Sequence, residues 1–427
     1  MVLDSFFENQ DKMIWAGKDH ALSLVYESID KKMVLRKASS VNLENTDHIF
    51  LEGDNLESLK ILQTKYKGKV KTIYIDPPYN TMKNRLYVDN FGKANNPHSG
   101  WLSMMYPRLY LARELLSETG IIFVSIGMDE SHHLRLVMDD LFGEKNLISE
   151  VVWHSKYTTS NDKKFISSQH EYVMVYAKNI SKAKFNLLPR TEKADSGYKN
   201  PDNDPRGRWK PTPIHAKSGR KNIEYKFTKI RKYNGELVPP FVWSAPTGRY
   251  PRYSRESLER LEADNRITCG KDGTGVPNAK TFLNEVKDGM IAGSLWKYED
   301  VGHTHEANEE LADLIGKGVF DNPKPVKLIK QILRLSTDPK SRDIVLDFFA
   351  GSGTTAHAVL DLNKEDGGNR KFICIQEDVV IDRGIYHTIS DVAKCRIKKA
   401  IKSINKENNT NSKNLDCGFK NYVLKKM

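Results

Sequence analysis

The stretch that decides the fold runs from Lys71 to Thr81, KTIYIDPPYNT. Val70, Thr72, Ile73, Tyr74 and Ile75 have the β-branched, aromatic and aliphatic make-up of a buried strand. Asp76 ends the run, and Pro77 and Pro78 stop the ladder because neither has an N–H to donate. Each proline also biases the residue before it towards extended backbone. The expected product is a stiff turn at the carboxyl end of a strand, gathering a carboxylate, a carbonyl and the ring of Tyr79. Ligands of open α/β sheets bind at such places. An acid beside a donor-free carbonyl suits an exocyclic amine, and a tyrosine suits a flat base. Asp-Pro-Pro also makes ordinary surface turns, so the rest of the chain has to decide.

With 427 residues, two or three domains with cores of their own are expected. Hydrophobic residues at 39% and charged residues at 29% fit a soluble globular class. No apolar run approaches the roughly 18–20 residues of a membrane span, and the first residues lack the basic-then-apolar order of a secretory signal. Cys269, Cys374, Cys395 and Cys417 stand far apart, which argues against a CxxC metal site and against a disulfide framework. No metal is therefore expected, and reduced thiols fit a cytoplasm.

The net charge of +12 is concentrated. Lys178–Arg260 holds 20 Lys/Arg against 8 Asp/Glu, a surplus as large as that of the whole chain. Trp209, Tyr225, Phe227, Tyr233, Trp243, Tyr250 and Tyr253 are interleaved with these charges. Basic residues mixed with aromatics suit a polyphosphate backbone and displaced bases. A solvated basic face is the bland alternative, and concentration in one segment weighs against it.

The chain divides into five parts. Residues 1–48 read as an N-terminal arm. Residues 49–180 open with a strand at His48–Gly53, after which Asp54 or Asn55 caps a helix; taken alone, Asp54 is a cap before it is a ligand. Beyond the Asp-Pro-Pro turn, residues 82–100 are polar and placed to form a lid. Leu102, Met105, Leu109, Ala112 and Leu116 then mark a helix, with Gly120 expected as its C-cap. Ile121–Ile126 reads as a central strand, and Val151–Trp153 and Tyr172–Tyr176 as antiparallel neighbours at a sheet edge. Residues 181–318, broken by prolines, read as an inserted domain of short strands and loops. The α/β texture returns over 319–404, and 405–427 is a tail whose run NKENNTNSKN reads as flexible.

In the fourth part, Asp343–Phe349 is a buried strand leading into Ala350-Gly351-Ser352-Gly353-Thr354-Thr355 and a helix. Glycines between a strand and a helix let a ligand approach backbone at a positively polarised helix start. The third glycine of the dinucleotide pattern is replaced by Ala356, and no GxxxxGK[ST] phosphate loop is present. A lone FxGxG is weak evidence; paired with DPPY it becomes strong.

Together these motifs resemble the amino-methylating DNA methyltransferases in their β-class order, in which a DPPY half precedes a target-recognition insert and an FxGxG half comes last. GDNLESLK (53–60), YIDPPYNT (74–81), WLSMMYPRLYLARELL (101–116), HEYVMVYAK (170–178), NPKPVKLI (322–329) and LDFFAGSGTTAHAV (346–359) look like the modification subunits of type III restriction systems. The resemblance implies a doubly wound, mostly parallel seven-stranded α/β sheet, circularly permuted, with a target-recognition domain at 181–318. It implies adenine-N6 methylation of double-stranded DNA from S-adenosylmethionine. Asp76, Pro77, Pro78 and Tyr79 would form the catalytic turn around a flipped base. Gly351, Gly353, Phe349 and Thr354 would carry the cofactor. Asp347, Lys324 and Pro325 would border its methionine end, Asp54 its adenine, and Glu377 its ribose. Aspartate at 76 favours adenine over N4-cytosine, whose enzymes of this type more often place serine there. A catalytically idle DNA-binding subunit is the competing class, and the intact DPPY and FxGxG speak against it. Type III relatives further imply a homodimer and a helicase-nuclease restriction subunit as partners, no membrane, and a length well beyond Met427.

Overall fold

A computed structural model describes residues 13–83, 85–91, 97–160, 164–219, 221–407 and 415–427. Ten strands form its main sheet: Lys31–Leu35 (β1), Ile49–Glu52 (β2), Val70–Ile75 (β3), Leu116–Ile126 (β4), Leu147–His154 (β5), His170–Ala177 (β6), Leu295–Trp296 (β7), Ile344–Asp347 (β8), Lys371–Gln376 (β9) and Lys420–Lys426 (β10). The helices that matter for the site are Lys18–Tyr26 (α1), Asn55–Tyr66 (α2), Pro97–Leu115 (α3), Ser131–Phe142 (α4), Thr304–Ile315 (α5), Val326–Ser336 (α6), Thr354–Asp366 (α7) and Ile389–Glu407 (α8).

The strand order is β1-β10-β2-β9-β8-β3-β4-β6-β5-β7. Its seven central strands, β2 to β5 in that order, are parallel except β6, which runs against both neighbours. That is the expected seven-stranded, doubly wound arrangement. Three strands extend it: β10 and β1 beyond β2, and β7 beyond β5. β8 and β3 lie side by side, yet the chain leaves β8 through α7 towards β9 and leaves β3 through α3 towards β4. Their carboxyl ends therefore flank a switch point, where the crossovers diverge and leave a crevice.

Side-chain alternation fills both faces. Ile73, Ile75, Ile122, Val124, Leu346 and Ile373 share one core with Leu59, Leu102, Met105 and Leu134 of the helices. The intervening Thr72 turns the other way and donates a hydrogen bond from Oγ1 to Ser336 Oγ of α6, 2.9 Å away.

Several boundaries differ from the sequence expectation. The helical stripe ends one residue early, since Leu116 already starts β4; the β3–β4 register slips between Val70 and Thr72, and Gly120 lies in that bulge rather than capping a helix. A Cβ at Gly120 would stand 2.9 Å from the Val70 carbonyl oxygen. The N-terminal arm is part of the fold, because β1 pairs with β10. The end of the tail supplies β10, which pairs parallel to the edge of β2. Most of the flexible run, 408–414, lies outside the described residues, as do 84 and 92–96 of the lid segment.

The second compact unit spans Leu187–Ile291 and is shorter than the expected 181–318, because 292–318 supplies β7 and α5 to the larger unit. Within it, Asn278–Phe282 pairs with Trp209–Pro213 and with Ile267–Thr268. Its aromatics correct the sequence reading: Trp209, Tyr225, Phe227 and Trp243 are buried in its interior, whereas Tyr250 is exposed. Part of its charge is also internal. Lys280 is buried between Asp202 and Asp204, and Arg266 pairs with Asp264 and Glu285.

Candidate active site

Asp76 follows β3 directly, and the two prolines turn the chain as expected. Trp101, buried in α3, donates its Nε1–H to the Pro78 carbonyl at 2.7 Å, which ties the turn down and occupies that oxygen. Asn80, at φ +59°, takes a left-handed conformation that asparagine tolerates. Its N–H donates to Asp89 Oδ1 (2.8 Å) and its Oδ1 accepts from the Phe91 N–H (3.1 Å). The Tyr79 ring lies against Gly127, and its hydroxyl donates to Glu171 Oε2 of β6 at 2.8 Å.

Lys324 closes this corner. Its Nζ is 2.7 Å from Asp76 Oδ2, 3.6 Å from Glu171 Oε2, and 5.1 Å from the centre of the Tyr79 ring. Asp76 Oδ1 is buried and receives no hydrogen bond from any described residue. Burial pushes the Asp76 carboxyl above the usual carboxylate range, and Lys324 opposes the shift without cancelling it. Burial works against the Lys324 charge as well, but Asp76 and Glu171 together outweigh it and hold the ammonium up. Two acids thus share one base.

A cavity of about 640 Å³ extends from Asp76 to the glycine loop. Asp54, Asp76, Pro78 and Lys324 line it from one side, and Asp347, Phe349, Gly351, Thr354 and Glu377 from the other. Four expected residues are absent from its wall. Pro77 lies within the turn, and Tyr79 is packed as described above. Pro325 starts α6 and abuts Gly302, where a Cβ would come within 2.9 Å of it. Gly353 faces α8: a Cβ there would meet the Ala393 carbonyl oxygen at 3.2 Å, so that glycine serves helix packing.

The loop is held from behind. Asp347 is turned inward, accepting from the Phe349 N–H at 3.0 Å and from the Thr355 hydroxyl, and burial pushes its pKa up to about 7. Gln376 at the end of β9 accepts the Gly351 N–H at 2.7 Å, which leaves Glu377 as the acid facing the cavity. Arg396 of α8, wholly buried, donates to Ser352 Oγ (3.0 Å) and Thr354 Oγ1 (2.7 Å). Gly351 takes φ +51°, with Phe320 next to it.

At the far end, Asp54 is both a cap and a wall. Its Oδ1 accepts the Glu57 N–H at 2.8 Å, while Arg108 approaches Oδ2 at 3.4 Å and holds Asn55. Burial, then the nearby Asp54, push the Glu377 carboxyl up. Sequence reasoning missed Arg108, Phe320, Glu171 and Arg396. The stretch 101–116 contains Arg108 and 170–178 contains Glu171, but nothing local in either assigns the side chain a role.

A family profile described as DNA methylase, N6/N4 type, matches residues 70–381. The Mod subunit of the type III restriction-modification enzyme StyLTI of Salmonella typhimurium is 38% identical over 411 residues, 89% of this chain and 60% of that protein. The EcoPI Mod subunit of Escherichia phage P1 is 32% identical over 95% of this chain and 70% of that protein. The type II methyltransferase M.KpnI of Klebsiella pneumoniae is 30% identical, over 83% of this chain and 88% of that protein. This chain therefore spans between three-fifths and nine-tenths of the length of these relatives. With the DPPY turn and the glycine loop opening on one cavity of a switched α/β sheet, it belongs to the DNA methylase family.

Proposed function

We propose that this chain is an S-adenosylmethionine-dependent methyltransferase that modifies the N6 amine of an adenine flipped out of double-stranded DNA. One observation carries the reading: the Asp76 side chain, held by Lys324, lines the same cavity as the backbone of the glycine loop. The residues fit the cofactor. The cavity is of the size that holds ligands of this class, Asp54 and Glu377 offer acceptors for an adenine amine and ribose hydroxyls, and Gly351 admits the ligand to the main chain. S-adenosylmethionine, when bound, supplies an electrophilic methyl on a sulfonium.

Adenine N6 is a poor nucleophile because its lone pair is delocalised into the ring. Asp76 Oδ1 and the Pro77 carbonyl accept its two hydrogens, favouring the pyramidal amine and exposing the lone pair. Lys324 holds the Asp76 carboxylate in place through Oδ2. The flipped base would stack on the Tyr79 ring beside the Asp76–Lys324 pair. On taking the methyl, N6 becomes cationic and acidic and would lose its proton to the Asp76 carboxylate or to water without a strong base, so the contribution of the chain is positioning and electrostatics.

The Leu187–Ile291 unit would read the target. The Mod relatives support placement in a type III-like system; a second copy of this chain and a helicase-nuclease subunit are the partners that the family resemblance implies. Asp76→Ala should abolish methyl transfer while calorimetric cofactor binding persists. Methylation-aware sequencing of DNA from cells expressing the chain should show N6-methyladenine at one motif. Methylated cytosine, or turnover by Asp76→Ala, would overturn the assignment.

A further inference from the structure

Glu130 is wholly buried, and both its oxygens point at imidazoles: His98 Nδ1 is 2.8 Å from Oε1, and His133 Nδ1 is 2.8 Å from Oε2. One donor atom from each of the three residues lies within 4.8 Å of the others. His98 stands in the first turn of α3, His133 in the first turn of α4, and Glu130 directly before α4. Two helix starts thus converge on one carboxylate. The His98 side chain is 48% exposed, so the cluster opens to solvent on one side. None of the three lines the cavity described above.

Two imidazoles and a carboxylate are the donor set of late first-row ions, whereas magnesium and calcium prefer all-oxygen shells. A bound ion would replace the two direct imidazole–carboxylate contacts with bonds of about 2.0–2.2 Å, any protons on the ligating Nδ1 atoms passing to solvent. The carboxylate is also oriented from outside, because Asn80 Nδ2 donates to Glu130 Oε1 at 2.6 Å. Such outer partners commonly fix metal ligands.

We propose that His98, Glu130 and His133 bind a divalent late transition ion, zinc being the first candidate, with water completing the shell. Asn80 directly follows Tyr79, so a bound ion ties the starts of α3 and α4 to the turn that carries Asp76. The site is structural, and it escaped the sequence because 32 residues separate His98 from Glu130 with no motif spacing between them.

The test uses untagged full-length chain, stripped with chelator and dialysed, then titrated with Zn²⁺ by calorimetry and with Co²⁺ by visible absorption. One equivalent should bind, with cobalt bands typical of nitrogen and oxygen ligands. His98→Ala and His133→Ala should each weaken binding by more than about tenfold, the scale on which even outer partners act. Glu130→Gln should do the same, but that residue is buried and the change risks the fold. The half-exposed His98 therefore carries the decision, with circular dichroism confirming that its variant is folded. Absence of a one-equivalent site in the native chain would overturn the proposal, as would undiminished binding by folded His98→Ala.

Discussion

Replacing Lys324 with methionine preserves side-chain length and removes the charge 2.7 Å from Asp76 Oδ2. At that distance the attraction is about 6 kcal/mol for an effective dielectric near 20. The Asp76 side chain keeps 27% of its surface exposed, and solvent screening brings the useful part to about 2–4 kcal/mol. Losing that attraction raises the Asp76 pKa further. The direction follows from the cluster: burial already lifts Asp76, Lys324 is the leading cation opposing that lift, and Glu171 adds a further push upward. Asp76 accepts the amine hydrogen best when ionised, so activity falls as pH drops through its pKa. In Lys324→Met the acidic limb of the rate profile should therefore move to higher pH. The assay is single-turnover methyl transfer to a duplex bearing the site, at saturating cofactor, with cofactor affinity measured separately at each pH. A limb that stays in place, or moves down, would refute the claim that Lys324 holds Asp76 ionised.

Three further outcomes are expected. Asp347 has its pKa raised to about 7, so the folded state binds more protons than the unfolded state between about pH 4 and 7, and stability falls as pH rises through that window; Asp347→Asn should flatten the dependence, by at most about 4 kcal/mol, in urea unfolding at pH 5 and pH 8. Gly351→Ala forces a side chain into φ +51° with its Cβ 3.2 Å from Phe320 Cζ; stability should drop by about 1–2 kcal/mol and cofactor affinity well beyond that. Gly353→Ala, facing α8, should cost mainly stability, and equal affinity losses in the two variants would undo the distinction. Leu188 and Met290 exchange backbone hydrogen bonds, so the ends of the second unit lie side by side; excising 187–291 across that bridge should remove sequence selectivity and flatten the salt dependence of DNA binding, and retained motif choice would show that this unit is not the reader.

The DPPY turn was legible because proline is unambiguous in what it forbids. Strand β3 had to stop, and its last residue had to face the end of the sheet. The glycine loop was legible for a similar reason, since FxGxG between an apolar run and a helical pattern leaves few backbone conformations. Roles were harder to assign. Gly351 and Gly353 look equivalent in the chain, but one borders a cavity and the other a neighbouring helix. The insert aromatics were misread because an aromatic beside a lysine has the same local signature whether it stacks on a base or fills a small core.

The sequence by itself determined the order of the two methyltransferase halves, the turn that carries Asp76 and the loop that carries Gly351, because each rests on local rules of backbone and periodicity. Only the tertiary structure decided what surrounds Asp76. Lys324 comes from 248 residues away to hold one oxygen, Glu171 shares that lysine from β6, and Asp76 Oδ1 is left buried with no hydrogen-bond partner among the described residues. The physical reason is that electrostatic environment depends on distance in space and on exclusion of water, and neither is encoded in any single stretch of the chain.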